Sequence, residues 1–445
     1  MERKTISKDD VLELAKENKV RSIRLMFMDL TGVNKNVEIP VQDLKAALDG
    51  SIMFDGSSIE GFARIEESDM FLRPDPSTFV VFPWIKGENK VARLICDIYN
   101  PDGSNFSGCS RGVLRRMIKE AKDMGYTMAV GPEAEFFLFL LDENGVATTK
   151  THDQGGYFDL SPIDRGEDAR KDVVEYLEQM GFRVEASHHE VAPGQHEIDF
   201  SYSDVLTTAD NLATFRMVVR TVALSHSLHA TFMPKPIYGI CGSGMHTNQS
   251  LFTNESNAFY DPDGKYQLSD VCLHYIGGLL KYAPEFTAIT NPIVNSYKRL
   301  VPDYEAPVYV AWSHRNRSPL VRVPAIREKA TRVELRSPDP SCNPYLAFAV
   351  MLKAGLEGIK QKIDPGKPVD KNIFAMDPEE RKKHNIGLLP RNLLDAIENL
   401  EKSNLMKEAL GEHVFNQFVH VKKMEWNLYN EKVHNWEIER YLALY

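Results

Sequence analysis

Gly131-Pro132-Glu133-Ala134-Glu135-Phe136-Phe137-Leu138-Phe139 sets two carboxylates two positions apart at the head of an aromatic and aliphatic run. Such a run predicts a strand entering a buried sheet. Alternation puts Glu133 and Glu135 on one face with Phe137 and Phe139, their Cα atoms about 7 Å apart. Two carboxylates on an apolar strand repel each other and resist desolvation. A divalent cation shared between them removes both problems. A strand end protruding into water, with both groups solvated, fits this stretch alone equally well.

Other segments repeat the theme. His188-His189-Glu190-Val191-Ala192-Pro193-Gly194-Gln195-His196-Glu197 reads as two strands joined by a Pro-Gly turn, so Glu190 and Glu197 face each other across a hairpin. Gly242-Ser243-Gly244-Met245-His246 brings one histidine to the start of a strand, and Arg332-Val333-Glu334-Leu335-Arg336 sets Glu334 between two arginines on one strand face. Each has a plainer explanation: a hydrogen-bonded histidine, a flexible loop, an ion-pair ladder. Taken together, five glutamates, one histidine and no thiolate suit magnesium or manganese better than zinc or copper. Six ligands could hold two ions at three each, with positions open for water and phosphate. Arg299, Arg315, Arg317, Arg322, Arg327, Arg332 and Arg336 follow one another closely. Arginine forks recognise carboxylate and phosphate. Cations beside such an array point to phosphoryl transfer from a nucleotide to an anionic acceptor. Neither a GxxxxGK[ST] loop nor a kinase signature is present.

The elements that must carry these groups are legible in outline. Ser7 caps a helix through Lys16, Val20 to Ile39 reads as a hairpin turning at Thr31-Gly32, and Pro40 opens a helix that Gly50 ends. A strand follows at Val91 to Asp97. Asn100-Pro101-Asp102-Gly103 marks a boundary, giving a small α+β domain over 1–103 and a larger one over 104–445. In the second, helices are expected at about 111–124, 167–180, 204–228 and 344–359. Strands are expected around 183–189, 195–200, 230–235, 245–252, 308–313, 320–323 and 331–336. Without a βαβ rhythm, the fold class is α+β on an antiparallel sheet.

Composition bounds the rest. The 445 residues are 43% apolar and 26% charged, as in soluble globular proteins, and the net charge of −10 argues against nucleic acid or anionic membrane as main partner. The start predicts no secretory leader, and the apolar run Phe136 to Leu141 is too short to span a bilayer. Cys96, Cys109, Cys241, Cys272 and Cys342 are scattered without paired spacing, which predicts a reducing, cytoplasmic setting.

These segments, with Phe54-Asp55-Gly56-Ser57-Ser58 and Asn295-Ser296-Tyr297-Lys298-Arg299-Leu300-Val301-Pro302, closely resemble glutamine synthetase in its class I form, from residue 20 to the C-terminus. The resemblance implies a β-grasp domain before a catalytic domain, and two stacked hexameric rings with active sites between neighbours. It implies ATP-dependent ligation of ammonium to L-glutamate with two to three magnesium or manganese ions. By position, Glu135, Glu190 and Glu197 correspond to one metal site, and Glu133, His246 and Glu334 to the other. Glu185, Tyr202, Ser250, Arg317, Arg322, Lys329 and Arg332 correspond to the ATP site, with Arg317 meeting the transferred phosphoryl group. Gly242, Arg299 and Arg336 correspond to the glutamate site; Asp55 and Ser58 of an adjacent subunit, with Tyr157, lie near the ammonium site, and Glu305 lies in a closing flap. Asn372-Ile373-Phe374 stands where adenylylated relatives have Asn-Leu-Tyr, and Arg64 where the alpha-type, glutamine-inhibited subdivision has arginine. Both features imply feedback inhibition by glutamine. The family's regulators also include PII-type proteins and, in some archaea, 2-oxoglutarate. One departure is Cys241, where many relatives have asparagine. A sister ligase using another amine is disfavoured by Asp55 and Tyr157, and an inactive structural relative by the full set of metal ligands.

Overall fold

The computed structural model describes residues 6–59, 61, 68–254, 256–302 and 306–445. The N-terminal part is a five-stranded sheet in the order Asn34–Pro40, Val20–Met28, Lys90–Tyr99, Asp69–Val81, Ile52–Asp55. Its central pair, Val20–Met28 and Lys90–Tyr99, is parallel; its other neighbours are antiparallel. Helix Lys8–Glu17 begins at a Ser7 capping box that satisfies two orphan donors at once. This is the β-grasp arrangement.

Two larger sheets follow, besides a two-stranded pairing of Tyr309–Val310 with Gly387–Leu388. One runs Leu228–Thr231, Phe136–Leu141, Gln195–Phe200, Val184–His189, with Ala147–Thr151 also paired to Phe136–Leu141. The other runs Ser203–Asp204, Thr127–Ala134, Met245–Thr253, Val333–Leu335, Val321–Arg322, Trp312–Ser313, with Ser256–Asn257 paired to Met245–Thr253. Behind them, Asp270–Thr290 packs on Pro344–Gln361. Their backbones touch closely: a Cβ on Gly278 would lie 2.1 Å from the Ala354 carbonyl oxygen, so only glycine fits there. Asn343 caps the second helix by accepting from Tyr345 and Leu346 N–H, and its amide donates to the Asp29 carbonyl and the Ser110 hydroxyl. Buried Arg111 bonds Asp75 and Asp97 on the first sheet and Asp210 on helix Val205–Ser225. Apolar contact also crosses residue 103: Phe106 and Cys109 pack with the first sheet, while Met26, Met28 and Leu30 belong to the large core.

Three expectations change. The strand expected through Glu135 is two strands in different sheets, Thr127–Ala134 and Phe136–Leu141. Glu135 is the break, its N–H donating to the Gly244 carbonyl at 3.1 Å instead of to a ladder partner. Phe136 through Phe139 are then all buried, so alternation does not sort them. The strand Asp69–Val81 was not anticipated because Pro74 and Pro76 argue against one. Helix Asp270–Thr290 and the C-terminal helices from Leu393 onward were also unread. Among the described residues no helix is long and apolar enough to cross a membrane.

Candidate active site

The hairpin Val184–His189/Gln195–Phe200 pairs Glu197 with His188 and His196 with His189. Glu197 therefore faces one side, and His188 stands beside it, 3.5 Å from Glu197 and 3.7 Å from Glu190. Ligand atoms of His188, Glu190 and Glu197 lie within 4.8 Å of one another. A second such group joins three strands of the neighbouring sheet: Glu133, His246 and Glu334. The register creates it, because His246 pairs with Glu133, and Met245–Thr253 also pairs with Val333–Leu335. Both groups open onto one cavity of about 730 Å³ that Glu135, Asp199, Arg317, Arg322, Arg336, Tyr157 and Phe374 also line. Glu135 Oε2 accepts from Gln195 Nε2 at 2.7 Å and from Gly244 N–H at 3.0 Å.

Electrostatics divides this cavity. Burial pushes the Glu135 carboxyl well above the usual range, with Glu197 and Glu190 adding to the effect. Glu197 is raised well above its usual value by burial, then by Asp199 and Glu133. Burial and Glu133 push Asp199 to about 7, and its Oδ1 is buried without a hydrogen-bond partner among the described residues. On the other side burial opposes ionisation of Glu334, but Arg336, His246 and Arg322 outweigh it and hold its carboxyl below the usual value. The Glu133 carboxyl is lowered too, since His246 and Asn248 outweigh burial. The plainer alternative, an ion-pair ladder of Arg332, Glu334 and Arg336, holds only in part. Arg336 bonds Glu334 at 2.5 Å, but the other partner is Arg322 at 2.6 Å, delivered by strand register. Arg332 turns away to Asn248 at 3.0 Å.

A second cavity of about 450 Å³ adjoins the first and is lined by Glu185, Tyr202, Ser250, Lys329 and Arg332, with Glu133 and Asp199 lining both. Of the residues implied for ATP, only Arg322 and Arg317 sit in the first cavity instead. A small recess off the first brings Gly242 and Cys241 together with Arg299, Glu135 and Arg336. Arg299 is buried, and its guanidinium donates to the carbonyls of Arg336, Ser337 and Pro338. Tyr157 stands half-exposed at the rim, stacked on Phe158, within reach of Arg317. Asp55, at the end of strand Ile52–Asp55, and Ser58, in the turn that follows, are exposed and line none of these cavities. Glu305 and Arg64 lie outside the described residues.

Four contributors escaped the sequence reading. Asp199 follows Glu197 by two on one strand, a spacing that alternation exposes. His188 stands in the ligand-type group where Glu135 was expected. Gln195 holds Glu135. Asn248 donates to Glu133 at 2.8 Å and accepts from Arg332, tying the two cavities together; only register reveals it. The donor sets are carboxylates with one imidazole each, which fits hard divalent cations.

Residues 107–441 match the family described as glutamine synthetase, catalytic domain, and residues 19–101 match glutamine synthetase, beta-Grasp domain. Glutamine synthetase of Methanosarcina mazei is 57% identical over 442 residues, covering 99% of each chain, and that of Thermus thermophilus is 57% identical over 443 residues with the same coverage. Among solved structures, a GmaS/ADP complex superposes with TM-score 0.89 at 32% identity, over 98% of this chain and 99% of the other. Plasmodium falciparum glutamine synthetase gives TM-score 0.87 at 26% identity, over 99% and 100%. With both domains matched and full-length relatives this similar, the chain belongs to the glutamine synthetase family.

Proposed function

We propose that this chain joins ammonium to the γ-carboxylate of L-glutamate at the expense of ATP, through γ-glutamyl phosphate, giving L-glutamine, ADP and phosphate. The observation that carries this reading is the shared wall at Glu133 and Asp199: a nucleotide-sized cavity opens directly onto two carboxylate–imidazole groups. Glu135, Glu190 and Glu197 would hold one magnesium or manganese ion and Glu133, His246 and Glu334 another, of the two to three that the resemblance implies. Bound there, the ions neutralise charge on the transferring phosphoryl group.

The chain's own residues do the rest. Tyr202, Ser250, Lys329 and Arg332, with Glu185 and Arg322, seat the nucleotide. Gly242, Arg299 and Arg336 hold glutamate so that a γ-carboxylate oxygen attacks the terminal phosphorus and the bond to ADP breaks. Arg317 places positive charge where that group passes. Asp55 of an adjacent subunit, assisted by Ser58 and Tyr157, takes a proton from ammonium. The freed nitrogen attacks the acyl carbon, and phosphate leaves. Glu305, in a closing segment, keeps water from the acyl phosphate. The exposed position of Asp55 and Ser58, away from their own cavity, leaves them free to serve a neighbour's site; the resemblance implies a dodecamer of two stacked hexamers, which native mass tests. ATP-dependent glutamine formation, measured with ammonium against competing amines, tests the reaction. Equal turnover with another amine would point to a sister ligase.

The same reading places the enzyme in the cytoplasm and in the class I alpha-type, glutamine-inhibited subdivision, open to a PII-type regulator. Phe374 lines the cavity and has no hydroxyl to accept an adenylyl group. Arg64 would sense glutamine, and Arg64→Ala inhibited as strongly as the parent would overturn that.

A further inference from the structure

The hairpin under the site has a second face. Glu197 and His188 look into the cavity, so their neighbours His196 and His189, themselves a cross-strand pair, look the other way. Both are fully buried. Beneath them lies Asp153, its side chain wholly inaccessible. Asp153 Oδ1 accepts from His189 Nε2 at 3.2 Å and from Gly194 N–H at 2.9 Å, one from each end of the turn that carries Glu190. It also accepts from Gly155 N–H at 3.3 Å, and Oδ2 accepts from Arg165 N–H at 3.2 Å. One carboxylate thus binds both arms of the hairpin to the 151–166 segment that carries Tyr157. Arg170 completes the foundation, donating to Asp164 at 2.6 Å, to His196 Nδ1 at 2.9 Å and to Ser187 Oγ at 3.2 Å.

We infer that Asp153 is a positioning residue for Glu190 and Glu197, fixing the width of the turn and with it the spacing of the two carboxylates across the cavity. This rests on the reading of those glutamates as cation ligands. Ligand-type atoms of His152, Asp153, Asp164 and His196 also lie within 4.8 Å of one another, as in a metal site. Hydrogen placement argues otherwise. A guanidinium has no acceptor, so His196 Nδ1 must accept, and its proton then occupies Nε2, where a metal would need a lone pair. Asp164 is already paired with a cation. The cluster is a polar foundation without an ion.

The test is manganese titration of folded Asp153→Asn, which keeps the shape but turns an NH₂ toward N–H donors. Affinity at one of the two sites should fall by about tenfold or more, as for other groups that orient ligands, while the other site keeps its parental value. General destabilisation would not discriminate between the sites. Glu197→Gln sets the scale. If it binds manganese like the parent, the ligand reading fails. If it loses a site while Asp153→Asn stays within twofold of the parent, the positioning role fails. Should Asp153→Asn not fold, Gly166→Ala serves: its Cβ would lie 2.6 Å from the His196 ring and 2.9 Å from His152 Nε2, displacing the same foundation. Parental manganese affinity there would overturn the proposal. Elemental analysis after chelation should find no retained ion; a stoichiometric buried metal would overturn the ion-free assignment.

Discussion

Glu334 and Glu197 are both buried glutamates on short strands facing one cavity, yet their surroundings are opposite. Glu334 is gripped by Arg322 and Arg336 and stays ionised easily. Glu197 sits among Glu135, Asp199 and Glu190, and neither Glu135, Glu197 nor Asp199 has a lysine or arginine at ion-pair distance among the described residues. One half of the cavity is balanced by the chain itself. The other holds carboxyls that resist ionisation for want of a cationic neighbour, the condition under which a divalent cation would displace their protons. The difference shows that the protein pre-organises one side and leaves the other to its ligand.

Substitutions should break this contrast in opposite directions. Glu197→Gln is expected to lower turnover at least about a thousandfold, roughly 4 kcal/mol of transition-state stabilisation. Its metal-free form should melt no lower than the parent, since a carboxyl that burial and acidic neighbours already keep from ionising is replaced by a neutral amide. Steady-state rates and thermal melts of chelated protein check both halves. Glu334→Gln should do the reverse without metal: it strands two guanidinium groups and costs about 3 kcal/mol, read from urea unfolding at fixed protein concentration. Equal melting of the two metal-free variants would erase the distinction.

pH sharpens it. Asp199 is raised to about 7, so between the ordinary carboxylate range and pH 7 the folded protein binds the extra proton. Metal-free stability from this group should fall as pH rises through that window and level off above it. Glu334 and Glu133 are lowered, so their contribution is present above the ordinary range and lost only as pH falls through their depressed values. Manganese binding should release a proton below pH 7, its affinity rising up to about tenfold per unit. Calorimetry in buffers of different ionisation enthalpy detects this, and Asp199→Asn should reduce it. The smallest effect belongs to Cys241, half-buried in the recess beside Gly242. Cys241→Asn should shift the glutamate Michaelis constant less than tenfold, about 1.4 kcal/mol.

Much of the site was legible because its ligands sit in short contiguous motifs with turn residues at their ends. Glu190, Glu197, His246 and Glu334 reach the cavity as strand and turn chemistry predicts. What stayed hidden depends on register between distant segments. Arg322 reaches Glu334, and Asn248 reaches Glu133, only because particular strands pair in particular alignment. Asp270–Thr290 was missed despite its Ser269 cap, because an apolar helix with an internal Pro284 shows no polar stripe.

The break at Glu135 has a mechanical consequence. Two sheets end against each other there, and the ligand groups are divided between them. A cation held by Glu135 at the break together with Glu190 and Glu197 of one sheet's hairpin would act as a rivet at that seam. Loading should then be felt as stiffness: amide exchange at Glu135, whose N–H crosses the seam to Gly244, slows when the rivet is in place and quickens when it is drawn.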